Sequence, residues 1–293
     1  MATMRELKGR INSVHSSQKI TGAMKMISSA RLRKAENQLI QARPYQQKLW
    51  EIYSHMRNSN QEYISPLAEV RTVKRVALVV FASDDGLCGA FNLAIYKKLS
   101  EVIEKYRREG VLNIHVIAIG KKIQSDIHKI KGISIIGHPE AFEIKDFVTA
   151  TRQLVAILQK DFLSGYYDKV EVLYTYYKSM GVQFLRLRCF LPVTLDADVE
   201  SVKLSSENMP WYILEPGAVQ ILETIYPLLL NAQMYEMYMS SRTSEQAARI
   251  LAMQMANDNA IKLLSGLQLE YNKLRQQGIT SELLDIAGGS SRD

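Results

Sequence analysis

Apolar residues near the start of the chain return at steps of three and four: Leu7, Ile11 and Val14, then Ile20, Ala23, Met24, Ile27 and Ala30. That period puts them on one face of a helix. Thr3 and Glu6 stand at the spacing of a capping box, in which each side chain satisfies a backbone amide at the helix start. No proline occurs before Pro44, and the only glycines up to there are Gly9 and Gly22. Proline removes one amide donor and crowds the preceding turn. The pattern resumes at Leu49, Ile52, Tyr53 and Met56, which predicts a bend and not a stop. A helix over residues 3–57 would be roughly 75 Å long, more than a small domain is wide.

The middle of the chain changes texture. Short β-branched runs at Arg75–Ala82, Asn113–Ile119, Ile133–Ile136, Lys169–Tyr177 and Phe184–Pro192 read as strands. Helical stretches at Ala90–Arg108, Lys121–Lys131 and Lys145–Leu163 lie between them. Strand and helix in alternation predict a mostly parallel, Rossmann-like α/β domain. The last two strands follow each other directly, which predicts an antiparallel edge or hairpin.

Beyond Pro210, Pro216 and Pro227 the helical period returns, with a stripe at Ile250, Met253, Asn257, Ile261, Leu264, Gln268, Tyr271 and Leu274. Gly288 and Gly289 supply a helix end. Two long helices at opposite ends of the chain are expected to pair as an antiparallel coiled coil, with Ile11, Val14 and Ile20 against Ile261, Leu264 or Tyr271. Polar Gln18, Thr21, Gln254 and Asp258 interrupt that seam. The expected organisation is α/β: a coiled-coil helix over 1–72, a central α/β domain over 73–206, and a second coiled-coil helix over 207–293.

Hydrophobic residues make up 47% and charged residues 23% of the 293, a globular balance. No apolar run approaches the roughly 20 residues of a membrane span, and no secretory leader pattern begins the chain. Cys88 and Cys189 stand far apart, without metal-ligand spacing, and the five histidines are scattered. Much of the net charge of +7 lies between Arg5 and Lys34, where eight basic residues face only Glu6. Such a helix suits nucleic acid, an anionic surface or an acidic protein partner.

The most site-like stretch is Ser83-Asp84-Asp85-Gly86-Leu87-Cys88-Gly89-Ala90-Phe91-Asn92, after a strand and before a helix. Glycines there could let the backbone cradle a phosphate. It has neither the lysine of a phosphate-binding loop nor GxGxxG spacing. Cys88 has no histidine nearby in sequence to activate it. The methionines and tyrosines from Met234 to Met239 read as helix packing before a sticky surface. No cofactor, metal or catalytic set is expected.

Several segments together carry a family resemblance. Arg10-Ile11-Asn12-Ser13-Val14, Gln18 through Ile27 and Ala30-Arg31-Leu32-Arg33-Lys34-Ala35 resemble the N-terminal helix of F-type ATP synthase gamma subunits. The loop from Ser83 to Asn92 is similar to that family's SDRGLCGGLN segment. Ser244 through Arg249, Asp258-Asn259-Ala260, Tyr271 through Gln276 and Ile279 through Glu282, leading to Asp285 and Gly289-Ser290, resemble its C-terminal helix.

The resemblance implies a rotor shaft with no chemistry of its own. It implies partners in the alpha and beta subunits of the catalytic ring, the epsilon subunit and the membrane c-ring, and a place at the cytoplasmic face of a bacterial inner membrane. It also implies subunit contacts at Met24, Cys88, Arg275, Gln276, Thr280 and Glu282. Two residues depart from the family pattern: Asp85 stands where arginine is usual, and Gly22 where lysine is common. A nucleic-acid binder, a coiled-coil tether and an α/β enzyme are the competing classes. The first would show exposed aromatics among the basic residues, the second leaves the α/β domain and the terminal signature unexplained, and the third lacks a candidate catalytic group.

Overall fold

The computed structural model describes residues 3–59, 65–111, 113–137, 139–143, 146–193, 215 and 217–289. The elements in chain order are α1 (Met4–Ser59), β1 (Arg75–Phe81), α2 (Phe91–Arg108), β2 (Asn113–Ile119), α3 (Lys121–Ile127), β3 (Ser134–Ile136), α4 (Phe147–Leu163), β4 (Lys169–Ser179), β5 (Val182–Leu191) and α5 (Ala218–Gly289). The chain divides into two compact units, Met1–Ala30 with Arg249–Asp293, and Arg31–Ala248. This division falls inside both long helices, whereas the expected one lies at the junctions of helix and domain.

In the first unit the capping box forms as expected: the Thr3 amide donates to Glu6 at 2.8 Å and the Glu6 amide to the Thr3 hydroxyl at 3.3 Å. Burial on α1 follows Leu7, Ile11, Val14, Gln18, Thr21, Lys25 and Ser28, alternating steps of four and three. That is the 3.5-residue period of a coiled-coil seam. The facing seam on α5 runs Ile250, Met253, Asn257, Ala260, Leu264, Leu267, Tyr271 and Leu274.

The expected packing of Ile20 and Ile261 is corrected. Ile20 is 60% exposed and Ile261 47%, and Ile27 points outward with them. Leu7, Ile11 and Val14 fix the register, and a straight helix cannot roll its seam over to meet the next apolar stripe. Polar Gln18, Thr21, Lys25 and Ser28 therefore fall inside the α1 seam. Lys25 donates to Gln254, Gln254 to Asp258 at 2.9 Å, and the Thr21 hydroxyl to the Gln18 carbonyl at 3.0 Å. Met4 lies 21 positions before Lys25, and Arg275, 21 positions after Gln254, begins the stretch of α5 in which every described side chain is exposed. The two helices are thus antiparallel here, and α5 runs on past its partner.

The second unit is built on a five-stranded sheet in the order β3-β2-β1-β4-β5. The first four strands are parallel neighbours, and β4 and β5 form the antiparallel hairpin the sequence predicts. Val76, Leu78 and Val80 of β1 and Ile114, Val116 and Ala118 of β2 pack with Ile95, Leu99 and Ile103 of α2 and Ile123 and Ile127 of α3. The chain then crosses from β3 at one edge to β4 beyond β1. A right-handed crossover in that direction places α4 on the opposite face, where Leu154, Leu158 and Phe162 are all at most 1% exposed.

Asp168 ties the start of β1 to the start of β4. It accepts from the amides of Lys74 and Arg75 at 3.0 and 2.9 Å and from the Arg75 guanidinium at 3.1 Å. Burial pushes its carboxyl up, but those donors outweigh burial and hold it below the usual carboxylate range.

The strands match the sequence reading closely. The long C-terminal helix ends at Gly289, where the paired glycines are expected to end it, but it starts earlier than expected. It begins at Ala218, nine residues before Pro227, which lies inside it. The Asn231 side chain donates to the Pro227 carbonyl at 2.8 Å. Likewise Pro44 lies within α1. Met56 lies in α1, but its side chain, Lys145 and Ser290 are outside the described positions.

Candidate interaction site

Within the second unit α5 is buried on nearly every side. Met234, Met237 and Met239 are fully buried, so the methionine stripe is core packing. The next residues are polar yet equally buried: Ser240, Ser241, Thr243, Ser244, Glu245 and Gln246 are all at most 9% exposed. Buried polar groups persist only when hydrogen-bonded, and here they complete the sheet.

β4 pairs with β1 only as far as Leu173, so the backbone beyond it needs other partners. The Tyr177 amide donates to the Ser240 hydroxyl at 2.8 Å, and the Ser244 hydroxyl to the Thr175 carbonyl at 3.2 Å. The Ser241 hydroxyl donates to the Phe81 carbonyl at the end of β1 at 3.3 Å. A helix face thus takes the place of a strand. The polar Ser-Ser-Arg-Thr-Ser run, a weak sequence signal, is the device.

The Ser83–Asn92 loop leaves β1 beside this face. The Ser83 hydroxyl lies 2.9 Å from Glu245, and its amide donates to Asn92 at 3.1 Å. Asp84 accepts from the first amide of α3, that of Lys121, at 3.2 Å. The amides at the start of the loop and of α3 are therefore bound by the chain's own side chains. Gly120 sits where the loop before α3 passes the end of β1. Its φ is +126°, and a Cβ there would lie 2.6 Å from the Ala82 carbonyl oxygen. A cleft of about 230 Å³ remains between Asp84, Gly120, Lys121, Tyr238 and Arg242, at the low end of pocket sizes for small-molecule ligands. Arg242 lies 4.3 Å over the Phe147 ring, and burial pushes the Tyr238 hydroxyl up to about 12.

Cys88, expected as a surface contact, is 3% exposed and belongs to the core under α2. The loop presents its neighbour instead. Leu87 is 61% exposed and has φ +62°, the one non-glycine residue with positive φ among the described residues. That conformation costs a bulky residue about 1–3 kcal/mol. A strained apolar side chain held in solvent by a pinned loop is a contact in search of a partner. Its sequence signal was a large apolar residue between Gly86 and Gly89 in an otherwise small and polar turn, which composition alone does not single out.

The other expected contacts lie in the first unit. Met24 is half-buried on α1. Arg275, Gln276, Thr280 and Glu282 are exposed on the single-helix part of α5, where the Thr280 hydroxyl donates to the Gln276 carbonyl at 2.9 Å. The structure brings those four together within two turns. Around them sequence reasoning missed an apolar set: Ile279 is 50% exposed, Leu283 61%, Leu284 67% and Ile286 70%. On the paired part Met26 is 69% exposed, Met255 67% and Leu269 70%. Among the described residues no group of metal-ligating side chains forms, and no helix is long and apolar enough to cross a membrane.

The sequence pattern of the ATP synthase family matches residues 3–291. A protein of Bacteroides fragilis named ATP synthase gamma chain is 41% identical over 290 residues, covering 99% of each chain. The chain belongs to the ATP synthase gamma-chain family. A second relative, from Bacteroides thetaiotaomicron and bearing the same name, is 39% identical over 297 residues, again covering 99% of each. Among solved structures, a chain of the Euglena gracilis mitochondrial ATP synthase (OSCP, F1 and c-ring, rotational state 3) matches with a TM-score of 0.63 at 19% identity, covering 98% of this chain and 93% of that one. A chain from the central stalk and c-ring of the Tetrahymena thermophila mitochondrial enzyme matches with a TM-score of 0.57 at 21% identity, covering 81% and 99%. These two likenesses are of fold.

Proposed function

We propose that this chain is the central rotor shaft of an F-type ATP synthase, coupling ion-driven rotation of a membrane ring to ATP synthesis in the catalytic head. The observation that carries the reading is the rod of the first unit. Its seam is interrupted by polar Gln18, Thr21, Lys25, Ser28 and Asn257 while large apolar residues stand on its outside, and α5 runs about 15 residues, roughly 22 Å, past its partner with leucines and isoleucines in solvent. A rod that stood alone would have the opposite distribution. Exposed apolar surface on this scale marks a partner interface.

The shaft comprises segments 1–72 and 207–293, and the α/β domain spans 73–206. The chain makes and breaks no covalent bonds in the reaction. Its surface offers different contacts to each catalytic subunit as it turns, and differential contact is what shifts an affinity. Met24, Arg275, Gln276, Thr280 and Glu282 belong to those contacts, and Leu87 carries the contact of the loop in which Cys88 is a core residue. The partners are the alpha and beta subunits, the epsilon subunit and the c-ring. The chain is held peripherally at the cytoplasmic face of the inner membrane through them.

Co-purification tests this. A tagged chain expressed in its own cells brings down alpha and beta subunits in fixed proportion, and the isolated chain neither binds ATP at micromolar concentration nor hydrolyses it. Magnesium-dependent turnover by the isolated chain, or recovery with nucleic acid and no other subunit, overturns the reading.

A further inference from the structure

The sheet of the second unit has two edges. One is β3, only three residues long, and the other is β5, Val182–Leu191, ten residues long. Among the described residues β5 pairs with β4 alone, so its outer row of amides and carbonyls faces no strand. An edge of this length is a template for another strand unless it is blunted by a bulge, a proline or an inward charge. The shifts in the β4–β5 register lie near its two ends, leaving seven regular pairs from Glu171↔Cys189 to Tyr177↔Gln183.

Its side chains say what kind of strand it would accept. Val182, Phe184 and Arg186 alternate outward, and Val182 and Phe184 are 43% and 46% exposed. Leu185 and Leu187 on the other face pack toward the core and fix which face is out. β5 contains two arginines and no acid. Arg186 is exposed and lies 4.1 Å over the Tyr176 ring, which holds its guanidinium in place. Exposed Lys178 adds a further cation at the Val182 end of the hairpin. The buried Glu236 side chain lies near Arg188, Arg43 and Arg186 on the inner side of the hairpin. A second copy of the chain pairing along β5 would bring arginine against arginine, which is destabilising across strands.

We propose that the β5 edge docks an extended acidic segment of a partner polypeptide, which adds to the sheet as a further strand with its carboxylates against Arg186 and Arg188. Backbone hydrogen bonds supply the pairing, and Phe184 and Arg186 select an apolar and acidic alternation. The proposal rests on the reading of the chain as one subunit of an assembly only for the source of that segment.

The test uses the full chain and a synthetic probe, an eight-residue peptide alternating glutamate and valine, with its lysine–valine counterpart as control. Amide hydrogen exchange is followed residue by residue. The expected result is slowed exchange at every second amide between Val182 and Leu191 with the acidic peptide, less at high salt and absent with the basic one. Arg186→Glu is expected to weaken the acidic peptide about tenfold and to admit the basic one. Arg186→Gln gives an intermediate loss and serves if the charge reversal alters the fold.

Equal effects of the two peptides, no alternation in β5, or indifference to both substitutions overturns the proposal. So does alternate protection already present in the chain alone, which would assign the edge to residues 194–214 if independent of concentration and to a second copy if not. None of these outcomes depends on whether the chain co-purifies with catalytic subunits.

Discussion

The two units of this chain solve the problem of apolar surface in opposite ways. In the α/β unit Val76 through Phe81 are at most 1% exposed, and even the polar face of α5 is buried because each serine completes a strand. In the rod, lysine and glutamine meet in the seam while Met26, Leu269 and Leu284 stand about 70% exposed. The first unit to be called stable on its own contacts is therefore the α/β unit. The rod divides its large apolar side chains between a seam that holds Leu7, Leu264 and Leu267 and an outside that holds Met26, Leu269 and Leu284. The lesson is that polar breaks in a seam leave apolar residues of the same stripe on the outside.

Substitutions should separate the units sharply. Phe162→Ala removes a fully buried ring from under α4 and is expected to cost about 3–5 kcal/mol in urea unfolding of the isolated chain. Met26→Ala, which trims an exposed side chain on the rod, is expected to stay within about 0.5 kcal/mol. Similar costs for the two would erase the contrast.

Asp168→Asn comes next, at about 2–3 kcal/mol, because a buried carboxylate bonded to two amides and Arg75 loses its charge. The pH dependence has a definite sign. Its folded pKa is depressed, so its contribution is present above the ordinary carboxylate range and is lost as pH falls through the folded value. Unfolding curves of the parent and Asp168→Asn are expected to converge in acid and diverge toward neutrality. At the alkaline end Tyr238, raised to about 12, works the other way: its contribution is lost as pH rises from 10 to 12, and Tyr238→Phe flattens that part of the curve.

Ser240→Ala strands the Tyr177 amide and is expected to cost about 1–2 kcal/mol, the lower value if water reaches it. Its reading is hydrogen exchange at Tyr177, which rises while amides of β2 do not.

The smallest effect on stability belongs to Leu87→Gly. Relief of the left-handed strain and the greater chain entropy of glycine oppose each other, so the isolated chain melts within about 1 kcal/mol of the parent. Assembly with the catalytic subunits is expected to weaken, and unchanged assembly would make Leu87 mere loop surface. The triple variant Arg275→Ala, Gln276→Ala, Thr280→Ala belongs with it: unchanged helix content, reduced ATP synthesis. Synthesis at the parental rate would leave those residues as bare shaft surface.

Legibility from sequence followed the same division. The strands of the α/β unit were visible because each is a dense apolar run that a core must bury, and Asn113–Ile119 was placed to the residue. The helix α3 was read four residues too long, since Gly132 and the turns before it compete with helix only once β3 is in place. On the rod the apolar stripe at Ile20, Ala23 and Ile27 was legible and its side was misjudged. Hydrophobicity says that a residue wants cover, not whether the cover comes from its own chain. The same limit hid the outward row from Ile279 to Ile286. It also hid Leu87, whose meaning lies in a backbone angle, and placed Cys88 at a surface that its neighbour occupies. The burial of the polar Ser240–Gln246 face was not legible, because its partners are strand backbones, which no side-chain pattern records.

The central claim is that this chain turns within its assembly and transmits that turning by contact. It is tested most directly by watching a single immobilised complex through a probe attached at exposed Lys131 of the α/β unit while ATP is hydrolysed. The account predicts stepwise rotation of the probe in one direction, in proportion to turnover, and loss of that proportion in the triple variant. Hydrolysis at full rate with the probe stationary would contradict it.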